Sequence, residues 1–353
     1  MRKVSINNIE SGSRLGKTIY NAQGSVLLSA GIELNEKYIK RLASLGITDL
    51  YIEDGLSEGI VIKDVVSDQT RREAKTIVCE VLKNASASNS VDREKVRGVA
   101  RKLVQELLAN GKIMINLMDI KSTDGYTYEH CVNVCILSVI MGIGLGYDIP
   151  SIEELAMGAI LHDIGKIKIP NDILNKPDKL TEDEYNIIKQ HTVFGYQILK
   201  NSGGFSLLTR YIALMHHERV DGSGYPVGIE GEKLHKFAKI VNVADVYDAM
   251  TSDRIYRPKL PVFKAVDYLS SMSSQQFDSD VVNCFLRYVA VYPVGTGVVL
   301  NNNMKGLVMR VNSLTTRPVV RIIYDENGDK LNDFYEINLM EIPDLYVVDT
   351  CEL

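Results

Sequence analysis

Residues 216–226 read HHERVDGSGYP, so two adjacent histidines and two acidic residues lead into a turn that contains two glycines. Gly222 and Gly224 permit backbone angles that other residues avoid, and Pro226 stiffens the end of the run. The run therefore predicts a shaped loop that displays imidazole and carboxylate groups. Further side chains of these two kinds lie upstream and downstream of it: His130, His162, Asp163, His191 and Asp245.

The number and kind of these side chains indicate a metal centre. Neutral imidazoles and carboxylates suit a transition metal such as iron, manganese or zinc. Five imidazoles and two carboxylates exceed the needs of one tetrahedral site, but they suit two metals bridged by a carboxylate. A pair of metals about 3.5–4 Å apart clamps a phosphoryl oxygen and activates water. The expected reaction is the hydrolysis of a phosphate ester, although His162 taken alone would be interpreted as a hydrogen-bonded core histidine.

Two capping boxes predict the starts of helices that carry histidines. One is Ser151–Glu154 and the other is Thr181–Glu184. A helix that begins at Ser151 places Leu155 and His162 on one apolar face, which we expect to be buried.

The 353 residues suffice for two or three domains, and the sequence pattern predicts three. Residues 1–62 are expected to form a small α/β domain with a docking or regulatory role. Residues 63–290 are expected to form an all-α domain. Residues 291–353 are expected to form a small antiparallel β domain.

These boundaries depend on local signals. In the first region we predict a hairpin of Thr18–Tyr20 with Val26–Leu28, a helix from Asn35 and a strand at Thr48–Ile52. In the second, a polar break at Asn84–Ser90 is predicted to separate two amphipathic helices. In the third, the predicted strands are Val298–Leu300, Gly306–Val311 and Val319–Tyr324.

Composition excludes several classes of protein. The formal net charge of −5 provides no global basic field to attract long nucleic acid. The five cysteines form no CxxC pair, and Met1–Ser5 shows no apolar signal core, so we expect a reduced, cytoplasmic setting. The most apolar run, Cys131–Tyr147, is short for a membrane span and predicts a buried helix.

Three motifs together resemble a known family. His162-Asp163 is similar to the HD motif of metal-dependent phosphohydrolases, and residues 216–226 match the HHExxDGxGYP signature of the HD-GYP family. Residues 245–257 resemble the segment that follows this signature in the family. The resemblance covers about 120–290 and implies an all-helical domain that hydrolyses cyclic di-GMP, a bacterial second messenger. It also implies a cofactor of two transition-metal ions, iron or manganese, with zinc, nickel or magnesium as alternatives.

The resemblance also implies roles for individual residues. The first metal would be held by His130, His162, Asp163 and Asp245, and the second by Asp163, His191, His216 and His217. Asp163 would bridge the two metals, and a hydroxide between them would attack phosphorus. Lys166, Tyr225, Arg254 and Arg257 would bind substrate, and Asp163 and Lys166 are the expected catalytic residues. Guanidinium groups suit phosphate because they form paired hydrogen bonds.

One position departs from the family pattern. Members with a third metal carry a glutamate one turn before the first histidine, where this chain has Tyr126. Glu129 is nearby but points elsewhere on a helix. The resemblance therefore implies two metals and linear pGpG as the product, and it leaves further hydrolysis to GMP open.

Other residues near the motifs have less specific interpretations. Glu218 or Asp221 would either orient a ligand histidine or be a solvated loop charge. His235 is expected at the surface, and Tyr247 and Asp248 are expected to serve helix packing and capping. Cys131 and Cys135 are expected in the core.

Several functions remain as alternatives. The chain could be a silent sensor of a cyclic dinucleotide, a hydrolase of another cyclic dinucleotide or of mononucleotides, or a structural regulator. Retention of the full ligand set favours an enzyme over a sensor. Other proteins that bind the terminal domains, or a second copy of the chain, are the protein partners left open.

Overall fold

The computed structural model describes residues 1–21, 25–110, 126–253 and 259–353. Its helices are α1 (Glu36–Ser44), α2 (Asp68–Ser88), α3 (Arg93–Ala109), α4 (Tyr126–Gly144), α5 (Ile149–Leu161), α6 (Asn171–Leu174), α7 (Glu182–Lys189), α8 (His191–Ser202), α9 (Leu207–Met215), α10 (Lys236–Thr251), α11 (Val262–Ser271) and α12 (Ser279–Tyr288). Its strands are β1 (Arg2–Ser5), β2 (Arg14–Leu15), β3 (Ile19–Tyr20), β4 (Val26–Leu28), β5 (Asp49–Glu53), β6 (Gly297–Leu300), β7 (Lys305–Arg310), β8 (Val319–Tyr324), β9 (Lys330–Asn338) and β10 (Val347–Cys351).

The N-terminal region contains small sheets and one helix. Strands β1, β5 and β2 form an antiparallel sheet in the order β1-β5-β2, and β3 pairs with β4 as the predicted hairpin. The side chain of Asn35 accepts a hydrogen bond from the backbone N–H of Tyr38 and caps α1. Leu15, Leu34 and Leu50 are fully buried in the core of this region.

The central region is helical, and α4 lies in its interior. Within the described residues, α4 is the one helix whose length and apolar character would suffice to cross a membrane. However, 78% of its window Thr127–Gly144 is buried inside the protein, as expected for a core helix. Helices α5 and α10 pack against α4, so residues on these three helices face a common interior.

Two predicted helix boundaries are wrong. Helix α2 continues to Ser88 through most of the predicted polar break, because Leu82 and Ala85 extend its buried face. Helix α5 begins at Ile149, two residues before Ser151, since Asp148 accepts from the backbone N–H of Ser151 and Pro150 lies in the first turn. It ends at Leu161, and His162 is its C-cap. The capping box at Thr181 and Glu184 is formed as predicted, but the helix that it starts, α7, ends at Lys189, and His191 lies on the next helix, α8.

The C-terminal region is a five-stranded antiparallel sheet in the order β10-β6-β7-β8-β9. The three predicted strands correspond to β6, β7 and β8. The other two, β9 and β10, were not predicted. In β9 most residues are exposed or partly exposed, so the strand lacks the alternating apolar pattern that a half-buried strand shows.

The three regions share buried surface. Val298 and Leu300 of β6 belong to the same apolar cluster as the central helices. A second cluster joins Tyr51 and Ile62 to Ile323 of β8. Because these cores run across the predicted boundaries at 62 and 290, the boundaries themselves stay predictions.

Candidate metal centre

Seven histidine and aspartate side chains meet between the central helices. They are His130 on α4, His162 and Asp163 directly after α5, His191 at the start of α8, His216 and His217 directly after α9, and Asp245 on α10. Six of them are buried and His217 is partly buried. The structure thus brings together all seven residues that the sequence singled out as ligands.

The seven side chains form two adjacent groups. In the first group, the Nε2 atom of His130 lies 3.2 Å from the Nε2 atom of His162 and 3.1 Å from Oδ1 of Asp245. In the second group, the Nε2 atoms of His191 and His216 lie 3.4 Å apart, and His217 completes the set.

Asp163 faces both groups. Its Oδ2 atom lies 3.3 Å from Nε2 of His162 and 3.6 Å from Nε2 of His130. Its Oδ1 atom lies 3.4 Å from Nε2 of His191 and 3.8 Å from Nε2 of His216, and it is buried without a hydrogen-bond partner. An orphaned carboxylate oxygen in a buried site is costly, and a bound cation removes that cost.

Backbone contacts determine which ring nitrogens are free to coordinate. The Nδ1 atom of His162 lies 2.7 Å from the carbonyl oxygen of Ala159, and Nδ1 of His191 lies 2.6 Å from that of Ile188. A carbonyl only accepts, so these Nδ1 atoms donate, and in the neutral ring Nε2 keeps its lone pair. Nδ1 of His216 makes the same kind of contact. Three Nε2 lone pairs therefore point into the site.

Burial keeps the three imidazoles of the second group uncharged. It lowers the pKa of His191 to about 4 and that of His217 to about 3, and it lowers the pKa of His216 well below its ordinary value. Neutral imidazole is the form that binds metals. The electrostatics of the site thus fit cation binding.

The two aspartates stay ionised. Burial alone would raise the pKa of Asp163, but the charge of Lys166 and the contact with His162 outweigh it and hold that pKa well below its usual range. Burial would likewise raise the pKa of Asp245, but contacts with His130 and His217 hold it low. Two carboxylates among neutral imidazoles give the site the negative charge that metal ions require.

Lys166 and Tyr225 lie at the edge of the seven ligands. The ammonium of Lys166 donates to Oδ2 of Asp163 at 2.5 Å, and its side chain is partly exposed. The ring of Tyr225 stacks on that of His217 with centroids 4.7 Å apart. Both predicted substrate-binding residues therefore border the candidate centre, whereas Arg254 and Arg257 lie outside the described residues.

Asp248 contacts His130, one of the candidate metal ligands, and this differs from its interpretation as a residue for helix packing or capping. Its Oδ2 atom accepts from Nδ1 of His130 at 2.8 Å, and its Oδ1 atom accepts from the side-chain amide of Asn133 at 2.9 Å. Because Nδ1 of His130 donates, its Nε2 lone pair also faces the site. The sequence could have indicated this role, since Asp248 lies three residues after the expected ligand Asp245 and therefore on the same face of the helix.

We expect Asp248→Ala to weaken metal binding. A carboxylate that holds a ligand histidine contributes about 10–100-fold to metal affinity or activity, because it fixes the ring orientation and tautomer. Metal titration of the purified chain should show a loss of that size. Asp248→Asn keeps an oxygen that accepts from Nδ1 of His130 and should therefore retain part of the metal affinity that Asp248→Ala loses. Equal affinity in wild type and Asp248→Ala would contradict the contact.

Two interpretations of Glu218 and Asp221 were open, an orienting contact with a ligand histidine or a solvated loop charge; the second holds for Asp221 and neither holds for Glu218. Glu218 is fully buried, and its carboxylate accepts from the backbone N–H groups of Val227, Gly228 and Ile229. Asp221 accepts from Ser223 within an exposed turn. Glu218 therefore orders the loop that carries Tyr225, a role that only the folded loop reveals.

The remaining residues near the site behave as expected. His235 is exposed, and Cys131 and Cys135 are buried, with the pKa of the Cys131 thiol raised to about 12 by burial. Glu129 pairs with Lys75 on α2, with Nζ 3.4 Å from Oε2. This contact directs the carboxylate toward α2.

The fold and ligand set define a helical metal-binding domain of the HD type followed by a small β domain. Residues 112–281 match the family model for the HD domain, and residues 297–353 match that for the KOW domain associated with HD domain. With its GYP loop, the helical part of the chain is similar to the HD-GYP family.

Two curated relatives are similar to the chain in sequence, and one solved structure is similar to it in fold. The cyclic di-GMP phosphodiesterase PA4108 of Pseudomonas aeruginosa is 33% identical over 253 residues, which cover 71% of this chain and 61% of that protein. The cyclic di-GMP phosphodiesterase response regulator RpfG of Xanthomonas campestris is 41% identical over 169 residues, which cover 48% of this chain and 45% of that protein. The chain thus spans less than two thirds of either relative. In fold, it is similar to Bd1817, an HDG"Y"P protein from Bdellovibrio bacteriovorus, with a TM-score of 0.52 and 20% identity over 80% of this chain and 97% of the other.

Proposed function

We propose that this chain is a metal-dependent phosphodiesterase that hydrolyses cyclic di-GMP to linear pGpG. The observation that carries the proposal is the position of Asp163, whose two oxygens face two separate groups of imidazoles. One bridging carboxylate between two ligand groups is the arrangement that a pair of metals requires. The two curated relatives, both named as cyclic di-GMP phosphodiesterases, support the choice of substrate.

We assign His130, His162 and Asp245 to one metal, and His191, His216 and His217 to the other, with Asp163 shared. Iron or manganese suits this mixture of imidazole and carboxylate. When bound, the metals would polarise a phosphoryl oxygen and lower the pKa of a water molecule to about 7. The pairing of Glu129 with Lys75 supports two metals rather than three, and thus pGpG as the product.

The protein side chains would position the phosphodiester and balance its charge. Lys166 is partly exposed beside Asp163, so its ammonium can contact a phosphate oxygen without leaving its carboxylate partner. A cation at this place stabilises the negative charge that develops on the phosphoryl oxygens. Arg254 and Arg257 are proposed to bind the second phosphate.

The proposal is tested by metal analysis combined with a turnover assay. We expect about two transition-metal ions per chain and conversion of cyclic di-GMP to pGpG, with pGpG accumulating over time. Chelation should abolish turnover while circular dichroism still shows the helices, and added manganese should restore it.

Different outcomes separate the alternatives. A metal-loaded chain that binds cyclic di-GMP without cleaving it would be a sensor and would contradict the proposal. Faster cleavage of cyclic di-AMP or of cyclic GMP-AMP in parallel assays would assign another substrate. Activity that survives complete metal removal would contradict the metal centre itself.

A further inference from the structure

An aromatic row leads outward from the candidate metal centre. The ring of His217 stacks on Tyr225, and Tyr225 in turn meets Tyr185 edge-on, with centroids 6.4 Å apart and planes at 78°. Tyr185 lies on α7, which ends two residues before His191. Despite its large ring, Tyr185 is 44% exposed. The row therefore ends in an aromatic surface that faces solvent beside the site.

Lys189 adds a positive charge to this row. Its ammonium lies 4.6 Å from the centroid of Tyr185 and 5.8 Å from that of Tyr225. It also donates to the side-chain oxygen of Asn186 at 3.1 Å. Contacts between a cation and the faces of aromatic rings are attractive, so Lys189 holds the two tyrosines in their relative orientation.

We propose that the exposed ring of Tyr185, held beside Tyr225 by Lys189, is a stacking surface for one purine base of the cyclic dinucleotide. The inference rests on the proposed function, because it assigns the base to a site whose phosphate end is Asp163 and Lys166. Base stacking on an aromatic side chain contributes about 1–3 kcal/mol per base. The ammonium of Lys189 also suits the O6 and N7 acceptors of guanine. In a nucleotide one ribose separates the base from the phosphate. In the site the ring of Tyr225 lies between Tyr185, the proposed base contact, and His217, a proposed metal ligand.

The spacing along α7 fits a single binding surface. Tyr185 and Lys189 are four residues apart and therefore lie on one face of the helix. The capping box of Thr181 and Glu184 fixes the start of this helix, and Lys176 binds Glu184 at 2.8 Å. The stacking surface is thus presented by an anchored element.

The test compares Tyr185→Ala and Tyr185→Phe with wild type in the metal-loaded full chain. Removal of the ring should raise the KM for cyclic di-GMP by about 5–150-fold, the equivalent of 1–3 kcal/mol, while kcat falls by less. Tyr185→Phe keeps the ring and should return KM close to the wild-type value. Inorganic phosphate has no base, so its inhibition constant should not change in Tyr185→Ala.

A matched control and two contrary outcomes make the test decisive. Tyr211 on α9 is 37% exposed and pairs with Tyr196, so Tyr211→Ala should leave KM unchanged. An unchanged KM in Tyr185→Ala, or an equal rise in the inhibition constant of phosphate, would overturn the stacking role. If wild type fails to cleave cyclic di-GMP, the proposed function fails instead. Equilibrium binding of the same dinucleotide then tests the surface, and equal affinities in wild type and Tyr185→Ala overturn it.

Discussion

Asp163→Ala is expected to abolish hydrolysis, with a loss of about 10³-fold or more. The two oxygens of this carboxylate face both sets of imidazoles, so alanine removes a ligand from each proposed metal at once. It also leaves Lys166 without the carboxylate that it contacts at 2.5 Å. The measurements are kcat/KM for cyclic di-GMP and the metal content of the purified variant, which should fall below that of wild type.

The fold should survive this substitution, because Asp163 contributes charge rather than apolar packing to the interior. Circular dichroism should therefore show the wild-type helical signal. Asp344→Ala, which removes an exposed carboxylate in the C-terminal region, is the matched control and should retain activity and metal. Wild-type turnover in Asp163→Ala would show that Asp163 does not bridge the metals.

Gly165→Ala is expected to destabilise the protein by about 3 kcal/mol and to displace His191. A Cβ atom at this position would lie 1.8 Å from the carbonyl oxygen of His191 and 2.5 Å from the backbone nitrogen of Gly195. Both obstacles are backbone atoms of α8, so no rotation of a side chain relieves the overlap. Helix α8 must move, and it carries a proposed ligand in its first turn.

Urea denaturation and metal titration together measure this effect. Both the unfolding midpoint and the metal affinity should fall. Gly98→Ala is the control: Gly98 is exposed within α3 and a Cβ there meets nothing within 4 Å. This control should raise stability by up to about 1 kcal/mol, because alanine favours helix over glycine. Wild-type stability and metal binding in Gly165→Ala would show that α8 does not pack as closely as the structure indicates.

Much of the fold follows from short-range signals in the sequence. The Asn35 cap, the Thr181 box and the hairpin of β3 and β4 each involve residues a few positions apart, so neighbouring residues specify them. The start of α5 after Asp148 and the end of α2 at Ser88 could not be predicted from such short-range signals. Two good caps compete near Ser151, and burial of Ala85 outweighs the polar residues around it. Strand β9 depends on pairing with β8 rather than on its own apolar pattern.

The sequence by itself determined which chemistry is available, namely the imidazole and carboxylate groups in the motifs of one family. It also specified most helix starts through capping residues. Only the tertiary structure decided which groups meet. His130 and Asp245 are 115 positions apart, and their contact exists because α4 and α10 pack together. The same packing places Asp248 on His130. The contact of Tyr185 on α7 with Tyr225 in the GYP loop likewise joins two separate segments of the chain. Local sequence specifies turns and caps through bonds between near neighbours, whereas a site assembled from distant segments depends on how buried faces fit together.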